Sequence, residues 1–471
     1  MKEYTLDQLR LRLRRGTVSS QDLVVAYQNR IARYDRNGPR LNSVACLNPD
    51  AMKDAARLDR ERARGKIRGP LHGIPILLKD NIGTKGAMPT TASSFALADL
   101  FTGEDAFLVR KLRRAGAIIL GKTNLSEWAY FMSIDKMPSG YGSLNGQVKH
   151  PYSEKIDPLG SSTGSAVAVA ANLIPIAVGT ETNGSLTAPA KQNLIATIKP
   201  TLGLVSRRGV IPITHLQDTA GPLCRTVRDC ALLLEAMAGT DPGDPATKSA
   251  SRHRERYSDA CGRPLAGMRI GLLSFSNYPD DAVEKEILAE ARRLFEQTGA
   301  VVVELSIEAV RMDNYRTMVH EFKQDLNAYL KTVEGKTPIR SLSDVIAFNE
   351  AHAECCLKHG QTILVEAEKT IGDLSEPDYP AWRKELLEQA DAPFALMREH
   401  RLDVIVSAKR TGYAPIAGHP CMSVPARPLA DDEPRSLNLL GRKWGESDLI
   451  RVADFYEKSG IRRLPPDLRH R

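Results

Sequence analysis

Short apolar runs set between helix-patterned stretches constrain this chain most. Residues 76–79, 117–120, 174–179, 268–273, 404–407 and 421–425 are each four to six residues long and largely apolar. Runs of that length, without strict alternation, suit strands buried on both faces of a sheet. Residues 105–115 and 225–238 show the 3.6-residue apolar spacing of amphipathic helices. The alternation of the two patterns predicts an α/β fold, a mixed twisted sheet covered by helices on both faces.

The first 65 residues read as helices, entered through Thr5 and Ser19 as caps. Residues 165–171 are small and suit a helix packed close to a sheet. Residues 188–195, 281–298 and much of 340–400 also read as helical. The stretch 241–264 is polar and rich in Gly, Pro and Arg, which marks a candidate linker. The late strands argue instead for one sheet built from both halves of the chain. The expected organisation is a single domain over 1–471. In it, helices over 1–65 precede a core at 66–240, and 265–471 complete the sheet and a helical pocket region.

Composition narrows the function. The chain has 471 residues, 42% hydrophobic and 26% charged, with net charge +8 and pI near 9.0. The basic clusters at Arg10–Arg15, Arg60–Arg68 and Arg252–Arg256 are dispersed and accompany no nucleic-acid motif, so they read as solvated surface. Seven cysteines, irregularly spaced and without a C-x-x-C pair, give no zinc pattern and fit reduced thiols. The N-terminus lacks the apolar stretch of a signal peptide. The longest apolar run, 166–178, is broken by Asn172 and Pro175 and is shorter than the ~18–20 residues of a membrane-spanning helix. The expected location is the cytoplasm, with no membrane and no nucleic-acid partner.

Three polar residues carry the chemistry. Lys79 ends the apolar run in Gly73-Ile-Pro-Ile-Leu-Leu-Lys-Asp-Asn, where a buried strand end can hold a lysine neutral. An isolated lysine at a strand end more often points into solvent. Ser161 lies in Gly160-Ser-Ser-Thr-Gly-Ser, within an irregular stretch over 138–164 whose length marks a functional loop. That loop lacks the spacing and the lysine of a phosphate-binding loop. It could also be a plain helix entry. Ser185 lies in Gly179-Thr-Glu-Thr-Asn-Gly-Ser, a strand–turn–helix pattern that brings backbone N–H groups beside the hydroxyl. A structural connection has the same pattern.

Taken together these segments resemble the amidase signature family. The resemblance continues through Gly121-Lys-Thr-Asn-Leu-Ser-Glu-Trp, Lys199-Pro-Thr-Leu-Gly-Leu-Val-Ser-Arg, Asp218-Thr-Ala-Gly-Pro and Ala417-Gly-His-Pro-Cys-Met-Ser-Val-Pro. The two serines stand 24 residues apart, as the family's pair does. The resemblance implies Lys79 as base, Ser161 as a bridging serine on a cis peptide, and Ser185 as nucleophile. It implies an oxyanion hole from the N–H groups of Thr182, Asn183, Gly184 and Ser185, and neither cofactor nor metal. Glu181, Asn183 and Thr187 depart from the usual Asp, Gly and Arg, so the common Asp/Arg brace cannot form. Glu181 and Thr187, with Gln217-Asp-Thr-Ala-Gly-Pro and Glu321-Phe-Lys-Gln-Asp-Leu-Asn-Ala-Tyr-Leu, resemble the branch that includes bacterial peptide amidases.

The resemblance implies hydrolysis of a small-molecule or peptide amide through an acyl-enzyme, by a monomer or homodimer. Two alternatives share the residues. One is acyl transfer to an amine, and the other is a non-catalytic or partner-dependent amidotransferase subunit. Tyr130, His215, Gln217 and Lys191 are candidate pocket residues, although core packing explains the first three nearly as well. The loop between Val406 and Ala417 is short, and Lys191 replaces a small or apolar residue of the branch. Both changes are expected to open or re-charge the site.

Overall fold

A computed structural model describes residues 2–430 and 433–469. Thirteen strands run in chain order. They are β1 (Val44–Leu47), β2 (Pro75–Lys79), β3 (Ile118–Thr123), β4 (Tyr141–Gly142), β5 (Gly146–Gln147), β6 (Ile176–Glu181) and β7 (Ala196–Lys199). The rest are β8 (Thr219–Cys224), β9 (Arg269–Phe275), β10 (Val301–Ile307), β11 (Val404–Ser407), β12 (Cys421–Pro425) and β13 (Ser436–Gly441). All but the β4–β5 hairpin join one sheet in the order β1-β3-β2-β6-β8-β7-β12-β13-β11-β9-β10.

The sheet is mixed, as the alternation of patterns predicts. β2 pairs in parallel with both β3 and β6, and β9 with both β10 and β11. Along the central strands β6, β8, β7, β12 and β13 each neighbouring pair is antiparallel. The β7–β12 ladder joins the two halves of the chain in the middle of the sheet. β2, β3, β6, β7 and β8 are buried along their whole length. The polar stretch 241–264 folds into three short helices. Arg208 and Ser206 hold Asp241 there, and Arg207 holds Asp244.

Helices cover the sheet. Thr5 and Ser19 cap Leu6–Arg14 and Ser20–Arg30 with reciprocal capping boxes, which satisfy backbone donors that a helix start leaves unpaired. The helix Thr163–Ala170 packs on β6 and is buried on every side. A Cβ on Gly164 would collide with the backbone of Ser43 and Asn124, so only glycine allows this approach. A second apolar cluster forms where Asn314–Thr332 packs on the 128–132 segment, with the Phe131 and Phe322 rings 4.9 Å apart. No helix among the described residues is long and apolar enough to cross a membrane.

Two of the element ends that differ from expectation have a visible cause. The apolar run at 117–120 extends through Lys122 to Thr123, because Lys122 reaches Ile82 O (2.8 Å) and Thr90 Oγ1 (3.0 Å) inside the protein. The helix expected over 188–195 is Thr187–Gln192 and is followed by Leu194 at positive φ, so 196–199 can turn into β7.

Candidate active site

The parallel register of β2 and β6 builds the site. Leu77 faces Ala177 and Leu78 faces Val178, so Lys79 ends β2 beside Thr180 of β6. Lys79 is completely buried. Its Nζ donates to Ser161 Oγ (2.7 Å), Thr180 Oγ1 (2.9 Å) and Thr180 O (3.4 Å). Asn81 Nδ2 donates to the same Thr180 hydroxyl at 3.0 Å. The hydrogen bonds around Lys79 thus come from hydroxyls, a carbonyl and no carboxylate. Burial lowers the Lys79 pKa to about 7, while attraction to the Asp218 and Glu181 carboxylates opposes the shift.

Ser161 sits just before Thr163–Ala170, and the Gly160–Ser161 peptide is cis. Ser162 pins this segment in place. Its hydroxyl donates to Thr180 O (3.0 Å) and accepts from Thr180 N (3.2 Å). Its N–H donates to Ser185 O at 3.2 Å. The Ser161 segment and the Ser185 turn are therefore held to each other and to β6. Ser185 is half-buried and lines the same cavity as Ser161, of about 310 Å³.

Glu181 shapes the turn after β6. Its Oε2 accepts from Leu186 N (2.7 Å), Thr187 N (2.9 Å) and Thr187 Oγ1 (3.3 Å). Hydrogen bonds to one carboxylate replace the ion pair that the sequence rules out. The N–H groups of Asn183, Gly184 and Ser185 donate to no acceptor among the described residues. Backbone N–H groups inside proteins are rarely left so. Gly184 has φ +91°, a left-handed conformation that favours glycine. Asp218 lies behind the turn, where Thr182 Oγ1 and the N–H groups of Ile213 and Thr214 donate to it. Burial pushes its carboxyl up to about 7, against the pull of those hydrogen bonds.

The pocket candidates separate. Tyr130 lines the 310 Å³ cavity and donates to Met137 O (2.6 Å). His215 lines a second cavity of about 610 Å³, which shares Ala129, Thr182 and Ile213 with the first. The Asp325 carboxylate, 2.8 Å from His215 Nδ1, raises the imidazole pKa. Gln217 is buried and lines neither cavity. It braces the turn from beneath, donating to Thr182 O (3.3 Å) and accepting from Arg383 (3.0 Å). Lys191 also lines neither, and burial with the nearby Arg435 lowers its pKa against the pull of the Glu284 carboxylate.

Three contributors are not legible in the sequence. Thr180 and Ser162 adjoin motif residues, and only the β2–β6 register shows what they touch. Arg410 lines the serine cavity from the short loop after β11. Loop length is the signal there, but it does not say which side chain the loop delivers. No group of His, Cys, Asp or Glu among the described residues could hold a metal ion.

Comparison with known proteins agrees with this architecture. The amidase family profile matches residues 22–450. A protein of Arabidopsis thaliana described as a probable amidase is 37% identical, with 99% of this chain and 92% of that one aligned. The crystal structure of native peptide amidase from Stenotrophomonas maltophilia superposes with a TM-score of 0.92 at 42% identity, covering 99% of each chain. A glutamyl-tRNA(Gln) amidotransferase subunit of Azoarcus sp. is 32% identical, over 98% of both chains. The chain belongs to the amidase signature family, on its peptide-amidase-like branch, and is an amidohydrolase acting on linear amides.

Proposed function

We propose that the reaction runs through an acyl-enzyme on Ser185, with Lys79 as base and Ser161 as proton bridge. The carrying observation is the 2.7 Å contact of Lys79 Nζ with Ser161 Oγ, in surroundings that favour the neutral amine. Neutral Lys79 takes the Ser161 hydroxyl proton as Ser161 takes that of Ser185. Ser185 Oγ attacks the amide carbonyl, and the carbonyl π electrons move onto its oxygen. Donors from the turn Thr182, Asn183, Gly184 and Ser185 hold that oxyanion, and free N–H groups at 183–185 support this assignment. Collapse of the intermediate breaks the C–N bond, and the nitrogen leaves with the proton relayed back through Ser161. Water then attacks the ester along the same relay and frees the acid and Ser185.

The substrate in this reading is a carboxylic amide, either non-peptide or a C-terminal peptide amide, giving acid plus ammonia or amine. Acyl transfer to an amine would use the same acyl-enzyme, and product analysis with added amines separates the two. The test of the nucleophile is labelling by a fluorophosphonate probe with mass mapping of the adduct. The adduct is expected on Ser185 and absent from Ser185→Ala. A Ser185→Ala protein that hydrolyses amides at the parent rate refutes the proposal.

A further inference from the structure

The cavity that holds Ser161 and Ser185 is lined by neutral residues except for Arg410. Arg410 is exposed and stands over the turn that carries Ser185. A Cβ on Gly184 would lie 2.5 Å from its Nη1 and 3.1 Å from its Cζ. The neighbouring cations are neutralised. Lys409 pairs with Asp280 (3.5 Å) and Glu284, and Arg435 pairs with Asp281 (2.8 Å), Glu284 and Glu433. Arg410 has neither an ion pair nor a hydrogen bond among the described residues.

A guanidinium left without a partner at the mouth of a reaction cavity presents a planar fork that matches a carboxylate. Its position over Gly184 puts that fork within a few bonds of a carbonyl held at Ser185. We propose that Arg410 is a specificity-determining residue that binds a substrate carboxylate. The substrates it favours are amides carrying a carboxylate within about three carbons of the scissile carbonyl, the reach of a fork–carboxylate pair with ~2.8 Å hydrogen bonds. The inference rests on Ser185 as the reacting residue, because it fixes where the scissile carbonyl lies.

The test compares succinamate with butyramide and glutaramate with valeramide, pairs that differ by a carboxylate in place of a methyl group. In the parent protein the acid of at least one pair should have a kcat/KM ten or more times that of its neutral partner, chiefly through KM. Arg410→Gln should lower that ratio at least tenfold, Arg410→Lys should keep part of it, and Arg410→Glu should invert it. A ratio near one in the parent, or unchanged in Arg410→Gln, overturns the proposal. Calorimetric titration of Ser185→Ala protein with the two acids reads binding without turnover. At least tenfold weaker binding in the Ser185→Ala, Arg410→Gln double variant supports the role of Arg410, and equal binding overturns it. Residual hydrolysis by Ser185→Ala would instead strike the acyl-enzyme reading, so the two failures are distinguishable.

Discussion

Replacing Lys79 by Met separates catalysis from stability and makes both readable. In the folded protein burial lowers the lysine from 10.5 to about 7. The sign follows from proton counting. Between pH 7 and 10.5 the unfolded chain holds a proton on Lys79 that the folded protein does not, so stability rises with pH across that window. Below pH 7 both states hold the proton and the penalty for burying Lys79 is constant at about 5 kcal/mol. Above 10.5 it vanishes. Between pH 6 and pH 9 the parent should therefore gain about 3 kcal/mol relative to Lys79→Met, which has no titrating group there. The hydroxyls of Ser161 and Thr180 that lose their donor in the variant shift the comparison by a constant. That constant cancels when one pH is subtracted from another. Paired urea titrations at the two pH values measure the difference. In the rate, the neutral fraction of Lys79 predicts kcat/KM rising about tenfold per pH unit below 7 and levelling above, and Lys79→Met should lose several orders of magnitude. A stability difference that does not change between pH 6 and 9 refutes the neutral lysine. A flat parent rate profile from pH 5 to 9 with chemistry rate-limiting refutes its role as base.

Asp218→Asn removes a carboxylate whose attraction holds the Lys79 pKa up, so the acid limb of the rate profile should move to lower pH, and movement to higher pH would contradict the assigned electrostatics. Glu181→Ala leaves the buried N–H groups of Leu186 and Thr187 without their acceptor. It should cost about 1–3 kcal/mol for each and lower kcat as the turn loosens, with Glu181→Gln recovering most of both in denaturation and rate measurements. Asp80→Ala strands the buried ammonium of Lys122, 3.5 Å away. It should destabilise the fold by about 3–5 kcal/mol in a urea titration, and a loss under 1 kcal/mol would show that the carbonyls and Thr90 alone satisfy Lys122.

The parts of the fold that were legible are those whose local chemistry is self-sufficient. The cap boxes at Thr5 and Ser19 and the apolar runs of β2, β6, β9, β11 and β12 state their structure within a few residues. β8 does not, because its segment Thr219–Cys224 contains Gly221 and Pro222, both poor strand formers. Its ladder with β7 covers only Leu223 and Cys224, which places Pro222 beyond that pairing. β10 is legible only beside β9, since its residues are mostly exposed or half-buried and carry no clear inward face. The site divides in the same way. Lys79, Ser161 and Ser185 stand in contiguous motifs, whereas the direction of Lys191 depends on how the six-residue helix Thr187–Gln192 enters. That entry is fixed by three hydrogen bonds to Glu181. The reach of Arg410 depends on Gly412 packing against the Asn183 side chain, a contact between segments more than 200 residues apart.

Three completely buried lysines in one sheet show why burial by itself does not select a base. Lys79, Lys122 and Lys199 are all fully enclosed, and desolvation lowers the pKa of each. Lys122 has the Asp80 carboxylate within 3.5 Å and a ring of carbonyl and hydroxyl acceptors, which favour its charged form and fix it as a structural tie between β3 and the loop after β2. Lys199 donates to Pro200 O at 2.8 Å, and a carbonyl has no proton to give up. Lys79 alone of the three donates to a hydroxyl that opens on a cavity, since Ser161 Oγ accepts from it and Ser161 lines the space where Ser185 stands. A base needs a neutral form within reach near working pH and a proton to take. For Lys79 as the proposed base, the β2–β6 register supplies the first by ending β2 inside the protein without a carboxylate in hydrogen-bonding contact, and the Ser162 clamp supplies the second by fixing the segment that carries Ser161.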